Sequence, residues 1–467
     1  MRRVHKATVF AICLCATFMM MGIEGCEVVI KTPANGSAIL GPATDIQISY
    51  IDGTNPVLGV TLNDDDISDL FTHSGPDSFG YMHAVATGVP VPLGPNRLTA
   101  SLTVFNGAPR STYTAISDFD VILMPDPSGV VDEGPGTGHY SSLAFDQDQL
   151  PRVSYYDETD GSLKLARYSL SVGFDALTLD GGGGDPDVGL YSSVMVDDEG
   201  VTYISYYDAT NGALKLATMA DMTLDIQTVD GSGTNDVGQF TSIGMDGSNE
   251  IYISYYDVTN GDLKVARQNG ASFSLFTVDG GQTDVGAWSE MVVAADGKLY
   301  IAYEDRTTFD LKYAVGYLPS LTIYTVDDSV DFVGADLGLA LTSANRAVIS
   351  YFDATNLDLK VARETAPGQF SLATVRSQGA TGFFSSVAVN TATADTVYIT
   401  FYDNSQKSLW LARSNGASYQ FILLDDGGGS NVDTGRYTCL RRGPQNSMGV
   451  SYQDATNGAV YFLRISG

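Results

Sequence analysis

Apolar residues along this chain alternate with polar ones over short runs and never settle into a sustained 3.6-residue period. That pattern predicts β-strands throughout and no long helix. From residue 138 onward the runs come in groups of four; one group covers 239–245, 250–256, 262–267 and 272–278. The group recurs seven times. A glycine opens each copy (Gly138, Gly189, Gly238, Gly286, Gly334, Gly382 and Gly435), with neighbouring glycines 48 to 53 residues apart. An aspartate follows 19 residues after six of these glycines, at Asp157, Asp208, Asp257, Asp305, Asp353 and Asp454. In the sixth copy it is Asp403, 21 residues on. Four antiparallel strands per repeat, seven times over, predict a seven-bladed β-propeller over residues 138–467. One blade cannot cover both its own faces, so its neighbours must supply the core.

The last copy stops after three strands. Its fourth is expected from residues 130–132, where Val130-Val131-Asp132 echoes Thr228-Val229-Asp230 and Thr277-Val278-Asp279. Residues 125–137 therefore read as a linker plus a closing strand that removes an open sheet edge. Between second and third strands stand Asp160-Gly161, Asn211-Gly212, Asn260-Gly261 and Asn457-Gly458. Read as two-residue type I′ turns, they set Asp208 directly opposite Lys215 and Asp257 opposite Lys264. The same arithmetic applies in five blades. Such Asp–Lys pairs are expected to be a structural ladder, because a catalytic residue has no reason to occur once per blade.

Residues 26–124 hold six short β-rich runs, at 27–31, 45–50, 58–62, 81–86, 97–104 and 113–123. A hundred residues with this many strands predict an immunoglobulin-like sandwich. Thr32-Pro33-Ala34-Asn35-Gly36 and Gly94-Pro95-Asn96-Arg97-Leu98 resemble bacterial Ig-like modules of cell-surface proteins. The expected fold class is all-β, an N-terminal Ig-like β-sandwich followed by a seven-bladed β-propeller. Ahead of it, Arg2, Arg3 and Lys6 precede an uncharged run at 7–21, the layout of a signal peptide over residues 1–25. Ile23-Glu24-Gly25-Cys26 resembles a bacterial lipobox. The resemblance implies lipidation of Cys26, which becomes the new N-terminus, and a lipid-anchored protein of the cell envelope, at the outer membrane or cell surface of a Gram-negative bacterium. Cys13 and Cys15 leave with the signal, so Cys439 is the one thiol of the folded body and no disulfide framework is expected.

The composition narrows the partners. The chain has 467 residues, 55 Asp+Glu against 25 Lys+Arg, and a formal net charge of −30. A phosphate backbone would repel it, which excludes a nucleic-acid binder. Much of the acid lies in Gly/Asp connections between blades, the first of which carries Asp180, Asp185 and Asp187. Such loops are either calcium ligands, a hard cation needing six to eight oxygens, or solvated turns.

Val-Ser-Tyr-Tyr-Asp at 153–157, Ile-Ser-Tyr-Tyr-Asp at 204–208 and 253–257, and the following Leu-Lys-x-Ala resemble propeller repeats of secreted bacterial proteins, related in fold to sialidase and fucose-lectin propellers. The resemblance implies architecture and no activity. The Ser-x-Asp-x-Gly-x-x-Thr-Trp box of sialidases is missing, and only Trp288 and Trp410 are present. No Gly-x-Ser-x-Gly elbow and no His pair at metal-ligand spacing occur.

Where one blade breaks a repeated column with a charge, function is a candidate. Two residues after the glycine the column reads Tyr140, Tyr191, Phe240, Trp288, Asp336, Phe384, Tyr437. Four after it, Glu290 replaces serine; before the repeat aspartate, Glu304 replaces tyrosine, and Arg306 follows nearby. Glu290, Glu304, Arg306, Asp336 and Trp288 are therefore the candidate ligand-binding residues at the channel mouth, for a metal or cationic ligand; drifted repeats with solvated side chains are the other reading. The expected function is a monomeric, anchored protein whose propeller binds a protein or carbohydrate at the cell surface without catalysis and touches the membrane only through its lipid. A propeller glycoside hydrolase or lyase, and a calcium-dependent lectin, are the alternatives.

Overall fold

The computed structural model describes residues 28–465, apart from short stretches at 34–37, 41–42, 52–55, 78–80, 92–93, 105–110, 123–126, 184–185, 232, 417 and 429–431. Cys26 and the segment before it lie outside the described residues, as does Asp185. The chain divides into two units, Met1–Pro125 and Asp126–Gly467.

In the first unit, Val28–Thr32, Ala43–Ile51, Tyr81–Pro90 and Thr72–Ser74 form one sheet in that order. A second sheet has five strands, in the order Ala38–Leu40, Ser111–Ile122, Gly94–Val104, Val57–Leu62, Asp65–Asp66. Alternate residues of both sheets, among them Ile46, Ile48, Val60, Leu98 and Leu102, share one buried core. This is the expected consequence of period-2 alternation with one apolar face per sheet.

The second unit consists of seven four-stranded antiparallel sheets, the blades. Blade 3 shows the plan, running from its inner to its outer strand as Val237–Met245, Ile251–Asp257, Asp262–Asn269 and Ser272–Asp279. The inner strand of each blade packs on that of the next, and the inner strand of blade 7, Thr434–Arg442, returns to that of blade 1, His139–Phe145. The ring is closed by Gly129–Glu133, which pairs antiparallel with Ala459–Ile465 as the outer strand of blade 7.

Neighbouring blades cover both faces of every second strand, so each of the seven residues of Ile251–Asp257 is buried. The Tyr-Tyr-Asp motif follows from that double burial. Consecutive side chains point to opposite faces, and each buried hydroxyl then needs a partner. Tyr255 donates back to Asp230, at the end of the preceding blade's outer strand, at 2.6 Å. Tyr256 donates forward to Asp284, in the connection to the next blade, at 2.5 Å. Tyr206–Asp180 and Tyr207–Asp236 repeat the arrangement at 2.6 and 2.7 Å in blade 2.

The hairpin register differs from the two-residue turn expected. Asp208 pairs with Ala213, and Lys215 lies opposite Tyr206. The loop has four residues because the Asp208 carboxylate turns back to cap it, accepting from the Asn211 backbone N–H at 2.9 Å and from its side-chain Nδ2 at 2.9 Å. A slip of two positions keeps every side chain on its face, so Lys215 still reaches Asp208 diagonally at 3.3 Å. Its shorter contact is Asp180 of the preceding blade, at 2.7 Å. Lysine and tyrosine thus share one acid across each blade interface, as Lys264, Lys312 and Lys360 also do with Asp230, Asp279 and Asp327.

Glycine ends the hairpin loop in four blades because the position has positive φ, as at Gly261 (φ 68°). In blade 5 the same position is Leu357, at φ 60° and 42% exposed. A left-handed L-residue costs about 1–2 kcal/mol. Leu357→Gly is therefore expected to stabilise the chain by roughly 0.5–1 kcal/mol, after the larger unfolded-state entropy of glycine is set against the relief. Denaturant unfolding measures it, and a loss of stability would show that the leucine packs in a way its exposure does not suggest.

Candidate functional site: the channel mouth

The glycine that opens each inner strand sits where no side chain fits. A Cβ on Gly286 would lie 2.7 Å from the Leu263 Cα of the preceding blade. Two residues later the backbone enters the left-handed region in all seven blades, from φ 47° at Asp336 to φ 54° at Trp288. This repeated kink breaks the pairing between the first two strands, as between Ala287 and Glu290 in blade 4, and gathers all seven side chains around one cavity at the channel mouth. Six bulky residues and one aspartate held at positive φ form a strained ring that the surrounding sheets impose.

Six of the seven are aromatic and touch in sequence, each ring tilted against the next. Tyr437–Tyr140, Tyr140–Tyr191, Tyr191–Phe240 and Phe240–Trp288 have centroids 4.9, 4.5, 4.5 and 4.8 Å apart, and Phe384–Tyr437 are 4.5 Å apart. The seventh position, between Trp288 and Phe384, is Asp336. The ring lines a cavity of about 160 Å³.

Below it runs a ring of hydroxyls, each spent on structure. Ser192, Thr241, Ser289 and Ser385 donate to the backbone carbonyls of Tyr140, Tyr191, Phe240 and Asp336. Each also meets a second-strand hydroxyl of the preceding blade, as Ser289 meets Ser254 at 3.1 Å. At the interface of blades 4 and 5 both partners change together, to Ala302 and Leu337. The forward tyrosine bond changes there too. Glu304 stands where tyrosine is usual, and Phe332 stands where the connecting aspartate is usual. Four columns therefore depart together at the edge where Asp336 interrupts the ring.

Asp336 is half-buried, yet its Oδ1 is closed off from solvent and has no hydrogen-bond partner among the described residues. Burial, with Glu304 nearby, pushes its carboxyl up to about 7, against a smaller pull from the Phe384 backbone N–H. Glu304 is 9% exposed; burial raises its carboxyl as well, and Arg306, 3.5 Å away, draws it back. The Arg306 guanidinium lies over the rings of Phe240 and Tyr256 at 5.7 and 5.5 Å, a resident cation on the outer side of the same aromatic wall.

Glu290 departs from the expected cluster. It reaches across the channel to Arg441 of blade 7, with Oε1 2.8 Å from the guanidinium. Arg441 was missed in the sequence, although it is the single charge in its own column, against Ala144, Met195, Gly244, Val292, Ala340 and Ala388.

The metal expectation at Asp180, Asp185 and Asp187 rests in part on Asp185, which lies outside the described residues. Among the described residues no group of three or more His, Cys, Asp or Glu side chains is arranged to hold a metal ion. Glu290 is paired with Arg441 and Glu304 with Arg306, which leaves Asp336 without the fellow carboxylates that a shared metal needs. Asp180 is engaged by Lys215 and Tyr206, and Asp187 accepts from Tyr156 at 2.7 Å. Both side chains of that loop therefore join blades. Cys439 is buried beside the channel, accepts from the Leu143 backbone N–H at 3.4 Å, and has its thiol pushed up by burial. Such a thiol is a core group rather than a nucleophile.

No protein-family model matches the sequence, and no curated protein matches it. Among solved structures, an arginine-to-alanine mutant of AofleA from Arthrobotrys oligospora aligns at 10% identity and a TM-score of 0.44, over 63% of this chain and 88% of that one. The polysaccharide lyase Uly1 aligns at 10% identity and a TM-score of 0.44, over 72% of this chain and 90% of that one. The NanB sialidase from Streptococcus pneumoniae aligns at 8% identity and a TM-score of 0.40, over 92% of this chain and 95% of that one. At such values no residue role passes from them to this chain, and the propeller rests on its own strand pairing.

Proposed function

We propose that this chain is a binding protein of the cell envelope, anchored through a lipid on Cys26 and spaced from the membrane by an Ig-like sandwich, whose propeller takes a protein or carbohydrate ligand at the channel mouth. The observation that carries the reading is Asp336. A carboxylate oxygen without a partner, set among six aromatic rings, is costly to the fold and is the group a ligand would satisfy. Aromatic walls with a few convergent polar groups are the usual make-up of a ligand site. The test is an array of glycans and cell-surface peptides, probed with the full chain, with Trp288→Ala and with Asp336→Asn. A ligand lost at least tenfold by both variants supports the reading; ligands indifferent to both overturn it. EDTA is expected to leave binding and unfolding unchanged, because the acidic side chains described here hold each other's blades rather than calcium. Cys26→Ser is expected to move the protein from the membrane to the soluble fraction.

A glycoside hydrolase or lyase is the second reading. It is favoured by one observation: an acid pushed up to about 7 lies beside a second buried carboxylate, Glu304, and carboxylate pairs serve glycoside hydrolysis. Turnover of an array oligosaccharide that Asp336→Asn abolishes would select it over simple binding.

A further inference from the structure

We propose that the channel mouth takes a small organic ammonium group, with Asp336 as its counter-ion and the aromatic ring as its cage. This deepens the binding reading above by naming the chemistry of the group that enters.

Three observations lead to a cation of this kind. First, the unpaired polar atom is a buried acceptor that a small shift of the side chain would bring to the cavity. Asp336 Oδ1 lacks a donor, while the hydroxyls beneath the ring are already spent on backbone carbonyls. Second, the walls are π-faces. Aromatic rings attract a cation placed within about 6 Å of their centroids, and Arg306 already occupies such a place on Phe240 and Tyr256. Third, the cation is not a metal. A hard ion would trade its water for six to eight oxygens, and with Glu290 held by Arg441 the one unpaired carboxylate among six aromatic rings offers too few. A quaternary ammonium, with no N–H groups to hydrate, is weakly hydrated and leaves water at less cost. The cavity, about 160 Å³, matches the ~150 Å³ that holds a benzene-sized guest.

The electrostatic surroundings agree. The charged and titratable groups around Asp336 are Glu304 with its Arg306, Glu290 with its Arg441, and the ring tyrosines Tyr140, Tyr191 and Tyr437. Glu304 and Arg306 offset each other, so no resident cation neutralises Asp336. Because burial pushes the Asp336 carboxyl up to about 7, its charge is present at pH 8 and largely absent at pH 5. An arriving ammonium would hold it ionised, and binding should weaken as pH falls through that range.

Isothermal titration of the full chain with choline, and with its neutral carbon isostere 3,3-dimethylbutan-1-ol, tests the proposal. At pH 8 choline is expected to bind saturably and the isostere at least tenfold more weakly. Asp336→Asn should lose at least tenfold for choline and little for the isostere, and choline should bind at least fivefold more weakly at pH 5. Circular dichroism confirms that the variant is folded. Trimethyllysine and glucosamine as further arms show whether the ammonium arrives on a peptide or on a sugar. Equal binding of choline and isostere, choline binding unaltered in Asp336→Asn, or no choline binding at tens of millimolar would each overturn it. In the last case an array ligand that still needs Trp288 and Asp336 would leave the binding reading standing, so the two failures are distinguishable.

Discussion

Asp336→Asn is expected to make the propeller more stable at pH 8, by about 2–4 kcal/mol, and to leave it nearly unchanged at pH 4. Burial pushes the Asp336 carboxyl from 3.8 up to about 7. The folded chain therefore holds this proton more tightly than the unfolded chain. Between pH 4 and 7 the folded state carries more protons, so stability falls as pH rises through that window and levels off above it. Asparagine keeps the shape and removes the charge, so the wild-type loss should be missing from the variant's pH profile. Urea unfolding at pH 4, 6 and 8 for both proteins reads it. Parallel profiles would mean that Asp336 is solvated in the folded chain and not a stored cost. A residue that lowers stability at working pH, where its removal would raise it, is the usual mark of a functional site.

Lys215→Met is expected to be the most damaging of the single changes discussed, at about 3–5 kcal/mol, because it removes one partner of a buried charge cluster. Lys215 bonds Asp180 at 2.7 Å and Asp208 at 3.3 Å, and Asp208 is 1% exposed. Without the lysine, buried Asp208 and half-buried Asp180 face each other with only Tyr206 and backbone N–H groups to hold them. Burial alone would raise the Asp180 carboxyl, but hydrogen bonds from Lys215 and Tyr206 outweigh it and hold the group below its ordinary value. Its stabilising share is thus full above pH 3.8 and is lost only as pH falls further. Blade 6 shows what a working replacement needs. There the acid is Arg376, the lysine Trp410 and the tyrosine Phe401, and the guanidinium stacks on Trp410 at 4.3 Å while meeting Asp403 at 3.7 Å. Moving all three changes into the blade 1–2 interface (Asp180→Arg, Tyr206→Phe, Lys215→Trp) is expected to recover at least half of what Lys215→Met loses. Lys215→Trp alone should recover none. Equal stability of the single and triple variants would refute the shared-acid clamp.

The propeller could be read from the chain because its strongest signals are local and repeated. Opening glycines, the Tyr-Tyr-Asp strand and the Asn-Gly loop recur often enough to set the blade count, and Val130-Val131-Asp132 matches the end of an outer strand. The hairpin register was misjudged by two because Asn-Gly suits both a two-residue turn and the end of a four-residue loop. Only the Asp208 carboxylate folding back onto Asn211 decides between them. The true partner of each lysine was missed because Asp180 lies in the preceding blade, 35 residues away. The joint change to Arg376 and Trp410 was the trace of that contact in the sequence.

The candidate site was half legible. Comparing columns across blades picked out Asp336, Glu304, Arg306 and Trp288, which the structure gathers near the mouth. It also picked out Glu290, which the structure ties to Arg441 across 151 residues of chain. A column shows that a blade departs from its siblings but not which departures meet. The paired losses at Ala302 with Leu337 and at Glu304 with Phe332 carried that information, since the first pair sits on facing strands of blades 4 and 5 and the second joins a strand of blade 4 to the connection that follows it.

The central claim is that this one coordinated break in the repeat is the binding site, and repairing the break tests it most directly. Asp336→Tyr completes the aromatic ring, Ala302→Ser with Leu337→Ser restores the hydroxyl pair, and Glu304→Tyr with Phe332→Asp restores the forward bond. The repaired chain is predicted to unfold at least as late in urea as the natural one and to bind the array ligand at least a hundredfold more weakly. A repaired chain that is folded and binds as before would contradict the account.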